Sequence, residues 1–174
     1  NFIDNISGTT WTKIGSASFS NEIVGYQSSQ SARFSPNWGS ISTNCPALNF
    51  GLGDFTLNVD SWLLTVAEGL FGTVHTVIAG GIVGNGNRSG IILSSTANRL
   101  EFHVGGSAQL VTANNLIAKS EWMNYKIIKH KNVLYLLIND TIVASRYHNE
   151  AINLNLNNLA IMGASRISTD SYDH

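Results

Sequence analysis

The chain has 174 residues, of which 43% are apolar and only 12% charged, with a formal net charge of −1. The charge content is about half the globular average of roughly 25%, but the apolar content suffices for one core, so disorder is not indicated and one domain is expected. A near-neutral balance argues against nucleic acid and anionic membrane as main partners, and no run approaches the ~18 apolar residues of a membrane span. Polar character comes instead from 20 Asn and 20 Ser, with 16 Gly and 2 Pro, a turn-rich composition that suits an all-β chain. Cys45 stands alone, so no intrachain disulfide can form, and a small buried thiol is expected there. The chain starts at Asn1 without Met or a basic-then-apolar leader, and is expected to be a processed product, a fragment or an excised domain.

Residues 1 to 50 are rich in Ser, Asn and Gly, with short apolar runs. From there Phe55, Leu57 and Val59 alternate with Thr56, Asn58 and Asp60, which is strand periodicity. Val74 to Ala79 reads as a strand, Gly80 to Gly90 as a glycine-rich turn, and Ile91 to Leu93 as a short apolar strand. Leu100, Phe102 and Val104 alternate with Glu101 and His103, predicting a half-buried strand that ends at Gly105-Gly106. Tyr125 to Lys129 and Val133 to Ile138 are predicted strands joined by His130-Lys131-Asn132. Asn139-Asp140 makes a two-residue turn into Thr141 to Ser145, because Asn and Asp tolerate positive φ. Leu159 to Met162 is the last clear strand. Strand and turn signals recur every 8 to 12 residues with no helical period, which predicts a sandwich or barrel. Leu134, Leu136 and Ile138 are expected to face the core with Phe55, Leu57, Leu100 and Phe102. Val133, Tyr135 and Leu137 make the second face of that strand apolar too, as in a central strand.

Chemistry-bearing patterns are sparse. Gly84-Asn85-Gly86-Asn87-Arg88-Ser89-Gly90 has the wrong spacing for a dinucleotide fingerprint and precedes a strand, so it reads as a hairpin loop. The six Asp and five Glu include no i, i+2 acidic pair on a predicted strand, whereas glycoside hydrolysis needs two carboxylates facing one sugar bond. No catalytic residue is therefore assigned. His75 and His103 fall on predicted strands where neighbouring strands could bring them together on a solvated face, but no third metal ligand is evident. Lys126, Lys129, His130 and Lys131 are the densest basic group and too few for a phosphate track. Trp62 and Trp122 are expected in the core. Trp38, in Pro36-Asn37-Trp38-Gly39, sits in loop composition. A pyranose stacks its C–H face on an aromatic ring while amides and carboxylates bond its hydroxyls. Trp38, Asn37, His103 and Tyr135 are the candidate ligand-binding residues.

Gly53-Asp54-Phe55-Thr56-Leu57 followed by Trp62 resembles the "GDFTxxxW" strand of laminin G-like, concanavalin A-like lectin domains. Asn98-Arg99-Leu100-Glu101-Phe102 resembles the family's "gxLxF" strand. Glu121-Trp122, Lys126-Ile127-Ile128, Leu134-Tyr135-Leu136, Ile138-Asn139-Asp140 and Val143-Ala144 resemble its "WxxxAxxRxxxxxxLYVNGxxVA" hairpin. Leu159-Ala160-Ile161-Met162-Gly163 resembles its "LxIG" strand, so the likeness covers about residues 50 to 165. In the N-terminal third, Ser7-Gly8-Thr9-Thr10-Trp11-Thr12, Gln30-Ser31-Ala32-Arg33-Phe34 and Leu48-Asn49-Phe50-Gly51 resemble versions in bacteriophage tail and virion proteins. The resemblance implies a jelly-roll sandwich of two antiparallel sheets. It also implies a non-catalytic module recognising cell-surface glycan or polysaccharide on a virion or extracellular surface. The rival expectations are a structural decoration or assembly domain contacting other virion proteins, and an extracellular adhesion module. No cofactor is assigned. Some members hold calcium through loop carboxylates and amides, but no full ligand set matches here. The family's final "GxIDDxRI" strand has no counterpart before Ser171-Tyr172-Asp173-His174. Either a fragment or a homo-oligomer that fills the open edge is therefore expected.

Overall fold

In the computed structural model, residues 2–3, 10–14, 18–20, 31–33, 40–62, 74–80, 89–94, 99–112, 114–118, 120–154 and 160–162 are described. The strands in the first half are Phe2–Ile3 (β1), Thr10–Ile14 (β2), Ser18–Ser20 (β3), Ser31–Arg33 (β4), Ser40–Thr43 (β5), Asn49–Gly51 (β6), Phe55–Trp62 (β7) and Val74–Gly80 (β8). They continue as Ser89–Ser94 (β9), Arg99–Val104 (β10), Ser107–Val111 (β11), Trp122–His130 (β12), Val133–Ile138 (β13), Thr141–Tyr147 (β14), Ile152–Asn153 (β15) and Ala160–Met162 (β16). Among the described residues the sole helical segment is a 3-10 turn, Pro46–Leu48. An eight-stranded sheet runs β1-β2-β5-β16-β8-β9-β10-β11 and a four-stranded sheet β14-β13-β12-β7, with the ribbons β15-β6 and β3-β4 beside them. All pairings are antiparallel, and the fold is the all-β sandwich that the sequence predicts.

Three two-residue turns set the register of the hairpins. Gly105 and Gly106 turn β10 into β11 with φ of 56° and 83°. Lys131 and Asn132 turn β12 into β13 at φ 48° and 63°, and Asn139 and Asp140 turn β13 into β14 at the same pair of values. Positive φ at both central positions matches the right-handed twist of the flanking strands. A lysine in that conformation is uncommon, and here it has external support. Asp54 accepts from the Lys131 backbone N–H at 3.0 Å, and its other oxygen lies 2.9 Å from His130 Nδ1. The aspartate of Gly53-Asp54-Phe55-Thr56 is thus a brace between the start of β7 and the β12–β13 turn.

The core lies between the sheets. Leu57, Tyr125, Ile127, Leu134, Leu136 and Ile138 from the smaller sheet meet Ile91, Leu100, Phe102 and Leu110 from the larger, with Phe55 packed at the margin. The predicted inward face of β13 is the observed one. Its other face is half covered at Val133 and Tyr135 and buried at Leu137, beside a bulge between Leu136 and Leu137.

Several expectations are corrected. Glu101 and His103 are buried along with Leu100 and Phe102, so β10 is covered on both faces rather than half-buried. Cys45 is half-buried at the head of the 3-10 turn, where a short loop leaves part of it at the surface. The basic group is divided by strand alternation. Lys126 points outward, whereas Lys129 is only 1% exposed. The Lys129 ammonium donates to the carbonyls of Leu52 at 3.1 Å and Glu150 at 3.2 Å, tying the approach to β7 to the segment after β14. β9 begins at Ser89, inside the span expected to be turn, and residues 81–88 lie outside the described residues. β11 carries no clear alternation in sequence and was not expected. At the N-terminal side, β1 and β2 extend the large sheet beyond β5, while residues 163–174, where a final strand was sought, lie outside the described residues.

Leu136 is fully buried at the centre of the core, and Leu136→Ala should cost about 2–5 kcal/mol in urea denaturation through the lost transfer energy and the cavity left behind. His148 offers a second check. Burial, then the nearby Lys129 charge and Arg146, lower its pKa from 6.5 against the weaker opposing pull of Glu150. The folded state therefore holds this proton less tightly than the unfolded chain, and stability should fall as pH drops below 6.5. Melting temperature followed from about pH 7.5 to about pH 5.5 should fall less in His148→Gln than in the parent.

Candidate functional site

The face of the four-stranded sheet turned away from the core is assembled by two-residue alternation. With Met123, Tyr125, Ile127 and Lys129 directed inward, β12 presents Trp122, Asn124, Lys126, Ile128 and His130 on the opposite side. β7 adds Thr56, Asn58, Asp60 and Trp62, β13 adds Val133, Tyr135 and Leu137, and β14 adds Ser145 and Tyr147. Register then fixes the neighbours. Asp60 stands opposite Asn124, Asn58 opposite Lys126, and Ile128 lies between Thr56 and Tyr135. Tyr135 is opposite Ser145, and Tyr147 is opposite Val133.

Hydrogen bonds stiffen the polar half of this face. The Asn124 side-chain amide donates to Asn58 Oδ1 at 2.8 Å and to Asp60 Oδ1 at 2.6 Å. Ionised Asp60 accepts only, which fixes the orientation of the Asn124 amide. The Asn124 backbone N–H donates to Asn139 Oδ1 at 2.9 Å, and the Lys126 ammonium pairs with Asp140. Asn58, Asp60 and Asp140 are solvent-exposed. Asn124 Oδ1 and Trp62 Nε1 are buried with no hydrogen-bond partner, an unrelieved cost within this polar network. Trp62 and Trp122 form an edge-to-face pair with centroids 5.9 Å apart. Both are half-buried on this outer face and lie outside the core cluster, contrary to the expectation that they fill the core. The period places them there, opposite each other at one end of the β7–β12 pairing.

The other half of the face is aromatic. Tyr135 is half-buried and Tyr147 is 64% exposed, on adjacent strands. Tyr135 is a diagonal neighbour of Lys126, so the two lie about 7–8 Å apart along the sheet. Aromatic rings and fixed amide and carboxylate acceptors on one sheet face are elements of sugar recognition, C–H faces on rings and hydroxyls on side-chain acceptors.

The four residues selected from sequence are not all gathered here. Tyr135 belongs to this face. Asn37 and Trp38 lie outside the described residues. His103 is on β10 in the other sheet, on the face opposite the core residues Leu100 and Phe102, and so on the far side of the sandwich from Tyr135. There it is buried, with Nε2 2.6 Å from Glu101 Oε2, while Arg99 Nε donates to the other Glu101 oxygen at 2.7 Å. Burial works to raise the Glu101 pKa, but the hydrogen bonds and charges of His103 and Arg99 prevail and hold it below 4.5. His103 Nδ1 is buried without a hydrogen-bond partner, so no described hydroxyl completes a nucleophilic triad with this pair. His75 and His103 are separated by β9. His75 aligns with Leu93, which aligns with Leu100, whereas His103 aligns with Gly90. The two histidines are not on neighbouring strands, because β9 is the hairpin partner of both β8 and β10.

Calcium needs six to eight oxygens converging on one point, as a rule. Among the described residues no three His, Cys, Asp or Glu side chains group as a metal site. Asp54, Asp60 and Asp140 are engaged apart from one another, with the β12–β13 turn, Asn124 and Lys126 respectively, and Glu101 is held by Arg99 and His103. The residues described do not fit a calcium site.

Asn58, Asp60, Asn124, Lys126 and Tyr147 were not singled out from sequence. Their signal was present in the polar positions of two alternating strands. What joins Asn124 to Asp60 is a pairing across 64 positions, which periodicity within one strand does not reveal.

No protein-family model matches the sequence, and no curated protein matches it. Solved structures do match in fold. The binding domain of botulinum neurotoxin serotype G superposes with a TM-score of 0.61 at 15% identity, over 96% of this chain and 42% of the toxin chain. A structure of botulinum neurotoxin type C, which depends on interaction with two ganglioside molecules to enter cells, gives 0.57 at 14% identity over 95% and 40%. A protein of unknown function from Shewanella oneidensis MR-1 gives 0.54 at 15% identity over 94% and 75%. The chain thus spans about two fifths of the neurotoxin chains it matches, and at these identities the likeness establishes the fold alone, an all-β sandwich.

Proposed function

We propose that this chain is a non-catalytic glycan-binding module and that sugar lies across the outer face of the four-stranded sheet. The observation that carries the reading is the braced Asn58–Asn124–Asp60 cluster, with Asn58 and Asp60 exposed, on the same outer sheet face as Tyr135 and Tyr147. From Asn58 to Tyr135 is two strand spacings across and two residues along the sheet, about 12 Å, which suits a short oligosaccharide laid obliquely over β12. The type C neurotoxin shares the fold and interacts with gangliosides, which is in keeping with glycan as the ligand class. The laminin G-like, concanavalin A-like resemblance and its phage-tail variant suggest a virion or extracellular surface as the setting, with cell-surface polysaccharide as the partner. A shallow single site binds weakly, so several copies acting together would supply the avidity.

Two outcomes follow. On a glycan array, Tyr135→Ala and Tyr147→Ala should each lower binding roughly tenfold by removing the stacking surface, with the fold intact by circular dichroism. Incubation with a polysaccharide panel should release no reducing ends. Release that disappears on substituting Glu68, Glu101 or Glu121 would identify an enzyme instead.

A further inference from the structure

Resting on that reading of the face, we propose that Trp62 and Trp122 form a second aromatic subsite, so that the face takes a linear chain of several sugars rather than one terminal unit. Register sets the order of groups along the β7–β12 pair. Trp62 stands opposite Trp122, Asp60 opposite Asn124 and Asn58 opposite Lys126, and one further step brings Ile128 beside Tyr135. All of these lie on the outer face, two residues apart along each strand. The tryptophans and the tyrosines therefore stand at opposite ends, with the amide and carboxylate acceptors between them. From Trp122 to Ile128 is six residues along β12, and Tyr135 is one strand further across, a span of about 21 Å. That exceeds the reach of a single sugar or a disaccharide.

The tryptophan pair has the character of a platform. Both indoles are half-buried, meet edge-to-face at 5.9 Å and lie outside the core cluster, so what they leave uncovered faces outward beside Asp60. Trp62 Nε1 is buried, and the surface which that ring shows to solvent is therefore all carbon. Such a surface suits the C–H side of a pyranose. Asp60 sits one step along the same face and is exposed. An ionised carboxylate has acceptor sites beyond the bond it takes from Asn124, and hydroxyls that donate to it make charge-assisted bonds, which are the stronger sort. A chain stacked at Trp122 thus presents hydroxyls to Asp60 and then Asn58 before it reaches the tyrosines.

The experiment is calorimetric titration of the whole chain with cellulose-, chitin- and dextran-derived oligosaccharides, each graded from disaccharide to octasaccharide. In a series that binds, the hexasaccharide should bind roughly tenfold more tightly than the trisaccharide. Trp122→Leu should abolish that gain and leave unchanged the affinity for the trisaccharide, which is held between Asn58 and Tyr135. The hexasaccharide, but not the trisaccharide, should also shield the indole fluorescence of the parent from acrylamide, a readout that needs no variant. Equal affinity for both lengths, lowered alike by Tyr135→Ala, would overturn the second subsite and leave the glycan reading standing. A gain with length that survives in folded Trp122→Leu, or a hexasaccharide that leaves the indoles as open to acrylamide as before, would overturn the part given to the tryptophans. Binding of none of the three series would overturn the reading of the face, and the second subsite with it.

Discussion

The alternation of β12 is the constraint on which the molecule depends. Trp122–His130 is hydrogen-bonded on both sides, to β7 and to β13, and its burial switches at each residue up to its last. A slip of one position would exchange Tyr125 and Ile127 for Asn124 and Lys126 in the core. The core therefore fixes the register, and the register in turn fixes Asn124 between Asn58 and Asp60. The face proposed to bind glycan is in this sense a by-product of burying the other side. Its geometry is as rigid as the packing beneath it.

Legibility from sequence followed the same division. β7, β10, β12 and β13 were all recognisable because their period-two patterns are regular and their turns use Asn, Asp and Gly where positive φ is required. The inward set on β13 could be named residue by residue for that reason. The Trp62–Trp122 pair was assigned to the core on residue type, although Trp62 is in phase with Thr56, Asn58 and Asp60, and Trp122 with Asn124 and Lys126, on the outward side. Glu101 and His103 misled in the opposite direction. Polar residues alternating with Leu100 and Phe102 resemble a wet strand face, but Glu101, held by half-exposed Arg99 and by His103, is buried together with that histidine.

The site was only partly legible, and the reason is topological. Tyr135 could be chosen from its strand, but its neighbours come from β7 and β14. Asp54 is a useful contrast. The motif that contains it is the one that resembles a family pattern, yet its carboxylate is engaged by a turn in which Lys131 adopts a backbone conformation that lysine seldom takes. A recognisable residue pattern marked a folding device here, while Asn58, Asp60 and Tyr147, proposed to bind sugar, carry no such pattern.

Lys129 has a consequence of a different kind. Its ammonium is sealed from solvent and held by two backbone carbonyls from segments far apart in the chain. An amine-reactive reagent that modifies surface lysines freely would reach this nitrogen only when the Leu52 and Glu150 segments part. Lys129 is thus an intrinsic reporter. The rate at which it acquires label, read by mass spectrometry against exposed Lys131, measures how often that end of the sandwich opens in an otherwise native population.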